Sequence, residues 1–138
     1  MTKKKIEFYE VEREPDFSKG IKRLTKKNRF ISLPGQALKL EEELSKGNFI
    51  GDLIRRSDTP EPYELYKLRL PNLDAVADKS SGYRVYYIVV TERQIVVLLT
   101  IYYKKEDETV TDTYINGLIA GYFLDALPYE DDMETSQS

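Results

Sequence analysis

The 138 residues are 41% hydrophobic and 33% charged, the size and make-up of one globular domain and too apolar for a disordered chain. Neither cysteine nor histidine is present, which excludes disulfides, thiolate metal sites and every Ser-His or Cys-His nucleophile pair. The formal charge of −3 is uneven: residues 125–138 hold Asp125, Glu130, Asp131, Asp132 and Glu134 and no base, so the remainder stands at +2.

Along the chain, Met1-Thr2-Lys3-Lys4-Lys5 leads into no apolar run, and no segment approaches the roughly 18 apolar residues of a membrane span. A cytoplasmic protein with no membrane partner is expected, in keeping with the lack of cysteine. Residues 6–11 alternate apolar and polar, which predicts a short strand. Asp16 or Ser18 then caps an amphipathic helix with Phe17, Ile21 and Leu24 inward and Lys19, Lys22, Arg23, Lys26 and Lys27 outward. Ser32 before Pro34 opens a second helix, striped by Ala37, Leu40 and Leu44 and ended by Gly47. Residues 48–62, with Gly51, Pro60 and Pro62, read as a loop.

Three strands are predicted next, at 63–70, 83–90 and 94–103. The last two form an antiparallel hairpin across Thr91-Glu92-Arg93. A capping box at Thr109 and Asp112 begins a helix over 112–124, with Ile115, Leu118, Ile119, Tyr122 and Phe123 on its apolar side. Helices segregated beside a mainly antiparallel sheet give an α+β fold. Residues 1–125 form the domain, and 126–138 an acidic tail expected to be disordered.

Strand alternation gives the chemistry. Lys67 and Arg69 share a face of the first long strand, with Leu65. Arg84 and Tyr86 share a face of the second. Thr100, Tyr102 and Lys104 share a mixed face of the third, opposite Val97, Leu99, Ile101 and Tyr103. With one sheet face packed on helices, the other presents Lys67, Arg69, Arg84, Tyr86, Tyr102 and Lys104 together. Four cations and two phenols side by side suit a phosphate backbone and a stacked base. Lysines and arginines are also the ordinary solvated side of a half-buried sheet, where cross-strand acids pair them. Glu64 is the main acid these strands offer.

The runs Tyr66-Lys67-Leu68-Arg69-Leu70, Lys79-Ser80-Ser81-Gly82-Tyr83-Arg84-Val85-Tyr86-Tyr87 and Leu98-Leu99-Thr100-Ile101-Tyr102-Tyr103-Lys104-Lys105 resemble the RelE/ParE superfamily of type II toxin–antitoxin modules, closest to its RelE-like branch. The resemblance spans roughly residues 6–125 and includes the order of elements. It implies a small curved sheet with helices on one side. It also implies a toxin that cuts mRNA on the ribosome by 2′-hydroxyl attack on the adjacent phosphate, without metal or small-molecule cofactor, held in check by a cognate antitoxin.

Carried over by position, Lys67 and Arg69 match the basic pair on the first long strand, Arg84 the arginine after Gly-Tyr, and Lys104 the base after the last strand. These four are the catalytic candidates. Tyr86, Tyr102 and Lys105 are the RNA-binding ones. The closing tyrosine of some members has no match at position 110, where Val stands, and Tyr114 lies one turn further on. The ParE branch shares the fold and inhibits DNA gyrase, so a non-nuclease binding module or an inactive relative is the alternative.

Overall fold

A computed structural model describes residues 8–75, 82–105 and 112–126. The elements are β1 (Glu10–Arg13), α1 (Pro15–Lys26), α2 (Leu33–Ser45), β2 (Asp52–Ile54), β3 (Tyr63–Leu70), β4 (Tyr83–Val90), β5 (Ile95–Tyr103) and α3 (Asp112–Ala126). The strands make one sheet in the order β1-β5-β4-β3-β2. Only the β1–β5 pairing is parallel, so the sheet is mixed and the fold α+β.

β4 sits at the centre of this order, and its sequence, Tyr-Arg-Val-Tyr-Tyr-Ile-Val-Val, is buried at every position except Tyr86. A strand buried on both faces needs cover on both. On one face, α1 and α2 bring Phe17, Leu24, Leu33 and Leu44 onto Val85, Tyr87, Val89 and Leu98. On the other, α3 brings Ile115, Ile119 and Phe123 onto Leu65, Ile88, Val90 and Val97. This corrects the expectation of helices on one side only: α3 lies across the sheet from α1 and α2.

The hairpin also departs from simple alternation. Tyr86 pairs with Thr100 and Tyr87 with Leu98, so Leu99 is an extra residue in β5, a β-bulge. The bulge resets the faces. Val97 and Leu99 pack under α3, whereas Ile101 and Tyr103 belong to the core beneath α1 and α2. The single apolar face expected for Val97, Leu99, Ile101 and Tyr103 is therefore split, and Tyr102 shares a side with Val97.

Smaller corrections follow from local chemistry. β1 begins at Glu10 rather than residue 6, and residues 1–7 lie outside the described segments. Pro15 opens α1 with Glu14 at the cap, so neither Asp16 nor Ser18 caps it. Ser32 does precede α2, but its hydroxyl donates to Asp74 Oδ1 (2.8 Å) rather than capping its own helix. The region read as a loop contains β2, a strand too short to show periodicity. Gly51 admits it, with φ of 108° and a missing Cβ that would stand 2.6 Å from the Lys67 carbonyl oxygen. The capping box at Thr109 and the acidic tail beyond residue 126 fall outside the described residues.

α1 approaches β5 closely through Gly20, where a Cβ would lie 2.8 Å from Ile101 Cγ2 and 2.9 Å from the Ile101 carbonyl oxygen. Gly20→Ala gains up to about 1 kcal/mol of helix propensity. The clash with strand backbone costs about 1–3 kcal/mol and outweighs it. Denaturant unfolding is expected to show a lower midpoint at unchanged slope. A midpoint equal to or above the wild type would mean that α1 sits further from β5.

Candidate nucleic-acid interface

The registers lay out the α3 face of the sheet as rows of paired residues. The first row is Ile54–Leu65–Ile88–Val97, all apolar and all under or against α3. The next is Asp52–Lys67–Tyr86–Thr100, and the one beyond it is Arg69–Arg84–Tyr102. α3 covers the first row, and the polar rows follow at one end of the same face, with Tyr86 and Tyr102 packed against the edge of that core and Arg84 and Thr100 buried. Side chains directly opposite each other in antiparallel strands stand about 4.5–5.5 Å apart at Cβ. Lys67, Arg69 and Arg84 are therefore neighbours on a common surface, edged by Tyr86 and Tyr102.

Their environments differ. Arg69 is exposed and Lys67 half-buried, with Lys67 Nζ lying 5.6 Å from the centre of the Tyr86 ring, a cation–π contact. Arg84 is only 4% exposed. Its guanidinium donates to the carbonyls of Tyr83 (3.3 Å) and Gly82 (3.5 Å). Burial, with Arg69 directly opposite as the second cause, holds the Arg84 pKa below the usual guanidinium range. The neighbouring Tyr102 and Tyr86 act the other way. Among the described residues, no carboxylate lies within ion-pair distance of Lys67 or Arg69. Glu64, the acid that the sequence offers as a neutraliser, is on the opposite face, where Tyr66 donates to its Oε1 (3.4 Å).

Tyr102 is half-buried, and burial is the main cause that raises its pKa. Tyr86 adds to this through charge and a hydrogen bond, while Lys67 and Arg84 oppose it. The phenol stays protonated, with a hydrogen to donate. Thr100 closes the row: its hydroxyl donates to Asp16 Oδ2, and Tyr114, in the first turn of α3, donates to Asp16 Oδ1 (2.8 Å). Asp16 thus ties α1, β5 and α3 together at the border of the patch.

Of the candidates read from sequence, the structure gathers Lys67, Arg69, Arg84, Tyr86 and Tyr102. Lys104 stands just past β5, its backbone N–H donating to the Gly82 carbonyl (3.1 Å), one rung beyond Arg84 and Tyr102. Lys105 is exposed in the turn beyond and lies outside the rows. Thr100 lies in the patch on the face the sequence gives it, whereas Asp52 and Asp16 are neighbours of the patch that sequence reasoning missed. Asp52 was hidden in a three-residue strand, and Asp16 joins the site through a contact 84 positions away in the chain. The patch is open. A 650 Å³ cleft lies elsewhere, between α1 and α3, lined by Glu14, Asp16, Lys19, Tyr63, Arg93 and Tyr122 among others, none of them in the cationic rows. An open cationic surface with aromatic edges suits a polyanionic chain better than a small ligand. Among the described residues, no cluster of three His, Cys, Asp or Glu could hold a metal ion, and no helix is long and apolar enough to cross a membrane.

No protein-family model matches the chain, and comparison with curated proteins gives no match. Solved structures that align with it include RelE toxins. A double mutant of Escherichia coli RelE in the free state is 22% identical over 73% of this chain and 88% of that one, with a TM-score of 0.46. Isolated E. coli RelE is 22% identical over 74% and 95%, with a TM-score of 0.44. The archaeal RelE–RelB complex of Pyrococcus horikoshii is 18% identical over 70% and 96%, with a TM-score of 0.39.

The tyrosines make alkaline stability predictable. Burial raises Tyr83 and Tyr87 above the ordinary phenol value, and pushes Tyr122 from 10.0 up to about 12. Folded protein then holds phenolic protons that the unfolded chain has released. The contribution of these groups is whole below pH 10; it is lost for Tyr122 as pH climbs from about 10 to about 12, and for Tyr83 and Tyr87 over a window that starts at about 10 and runs higher. Denaturant midpoints are expected to fall across these windows, with phenolate absorbance rising in step with unfolding. Full ionisation of all 11 tyrosines while the fold stays intact would contradict it.

Proposed function

We propose that this protein is a RelE-like toxin of a toxin–antitoxin pair, an endoribonuclease that grips mRNA on the ribosome and cuts it by 2′-hydroxyl attack on the adjacent phosphate. The observation that carries this reading is the convergence of Lys67, Arg69 and Arg84 from two paired strands onto one surface edged by Tyr86 and Tyr102. The sequence resemblance to the RelE-like branch rests on the same residues.

Each group has a task its chemistry allows. Arg84, fixed by burial and by the two carbonyls it donates to, meets the charge that grows on the phosphate. Because its position is set before substrate arrives, little reorganisation is needed during reaction. Lys67 and Arg69 lower the pKa of the attacking hydroxyl or assist removal of its proton. Lys104 neutralises the leaving oxygen. Tyr86 and Tyr102 stack on or orient bases, and Lys105 extends the contact along the backbone. The cations supply the electrostatic stabilisation that a metal supplies in other nucleases. A cognate antitoxin that lays acidic side chains on the Lys67–Arg69–Arg84 band would silence the site by occupying it.

Lys67→Ala with Arg69→Ala is the informative variant, because neither side chain belongs to the core. Induced expression of the wild type is expected to arrest growth, with primer extension on translated mRNA showing new ends. The double variant is expected to lose both. Binding to single-stranded RNA should lose about 1.4 from the magnitude of its log–log salt slope, two charges at roughly 0.7 each. Growth arrest that survives the double variant, with mRNA intact, would favour a non-nuclease module such as a ParE-like gyrase inhibitor. Wild-type expression that leaves growth and mRNA untouched would favour an inactive relative.

A further inference from the structure

A hydroxyl that attacks phosphate must give up a proton; Lys67 and Arg69 can ease its departure, but the patch as read from sequence offers no carboxylate to take it, and its acceptor oxygens are those of phenols, of which Tyr102 is held protonated. Ammonium and guanidinium groups donate hydrogen bonds and have no lone pair to accept with. The chain has no histidine. The register supplies the missing partner. Asp52 pairs directly with Lys67, two residues from Ile54, and Ile54 packs on the α3 side. Alternation along β2 puts Asp52 on that side too, in the row with Lys67 and Tyr86.

Its position is held by the fold. Gly51 lets the chain come within contact of the Lys67 carbonyl, and on the other face the Tyr87 hydroxyl donates to the Ile50 carbonyl. Asp52 is exposed. Lys67 Nζ turns to the Tyr86 ring and makes no ion pair with it. The charged groups that face it are Lys67, in register, and Arg69, diagonal on the same strand. Arg84 lies one strand further.

We propose that Asp52 is the proton acceptor of the site. Asp52 takes this role only if the ribonuclease reading above holds, and what is added to that reading is the identity of the base. The diagonal from Asp52 to Arg69 spans about 7–8 Å between backbones. The short carboxylate and the long guanidinium leave room between them for a phosphate with the neighbouring ribose hydroxyl turned toward Asp52. In the step, the 2′-hydroxyl proton passes to the Asp52 carboxylate as the 2′-oxygen bonds to phosphorus. The bond from phosphorus to the 5′-oxygen breaks, and that oxygen takes a proton from Lys104 or solvent. The products are a 2′,3′-cyclic phosphate and a 5′-hydroxyl, with no oxidant, reductant or metal entering the balance.

Asp52→Asn removes the acceptor and keeps the shape. Cleavage of ribosome-bound mRNA is expected to fall on the order of 10²–10³-fold at saturating enzyme, within the range for loss of a general base. Affinity for an uncleavable 2′-O-methyl oligoribonucleotide should stay level or tighten, since a negative charge leaves a phosphate-binding surface. The acidic limb of the pH–rate profile should vanish in Asp52→Asn, and Asp52→Glu should restore part of the rate. A carboxylate that only balances Lys67 would give tighter binding and undiminished cutting. Cutting at the wild-type rate, an unchanged acidic limb, or a rate loss matched by lost affinity would each overturn the assignment while leaving the nuclease reading intact. Failure of the wild type itself to cut would overturn both.

Discussion

The two-sided burial of β4 is the constraint on which everything else turns. One strand carries apolar side chains in both directions over most of its length, so a layer of helix must lie against each side. α1 and α2 meet the demand on one side completely. α3 meets it on the other with a core over Leu65, Ile88, Val90, Val97 and Leu99, and Tyr86 and Tyr102 pack against its edge. Where the apolar rows stop, the strand continues as the half-buried Tyr86 and the buried Arg84.

The cationic surface at this end of the sheet is electrostatically unsettled. Like charges directly opposite each other across a ladder destabilise it, and Arg69 stands opposite Arg84. Burial of Arg84 adds a desolvation cost in the same direction. A bound anion would relieve both at once. Under the proposed ribonuclease reading, the arrangement trades stability of the free protein for affinity toward a phosphate, a trade commonly made at functional sites. The tyrosine rings temper it, through the cation–π contact at Lys67 and the attraction of Tyr86 and Tyr102 for Arg84.

Much of this is legible in the chain. β3 and β4 begin and end where Pro62, Pro71, Gly82 and Thr91 punctuate their alternation, and both helices of the first layer announce themselves by apolar stripes. Lys67, Arg69, Arg84, Tyr86 and Tyr102 fall together because period-two alternation fixes their faces. The rest depends on information that local pattern does not carry. A bulge at Leu99 shifts half a strand by one residue, and nothing in Val-Val-Leu-Leu-Thr-Ile-Tyr-Tyr marks where the shift falls. β2 is three residues long, shorter than any window in which a period can be seen. Asp16 reaches the site through tertiary contact alone. The apolar residues of β4 on both faces are a cue to two-sided burial that the one-sided packing read from the sequence does not use, and α3's position follows from it.

The sheet's two borders are its shortest strands. β1 has four residues, three of them charged, and β2 has three, one of them acidic. A strand arriving from another molecule would find a ladder of only a few rungs at either border, flanked by charge, before the backbone turned away. Extension of the sheet from chain to chain is thereby discouraged, and the protein can carry five strands, and a central one as apolar as β4, without inviting fibrous growth at its margins.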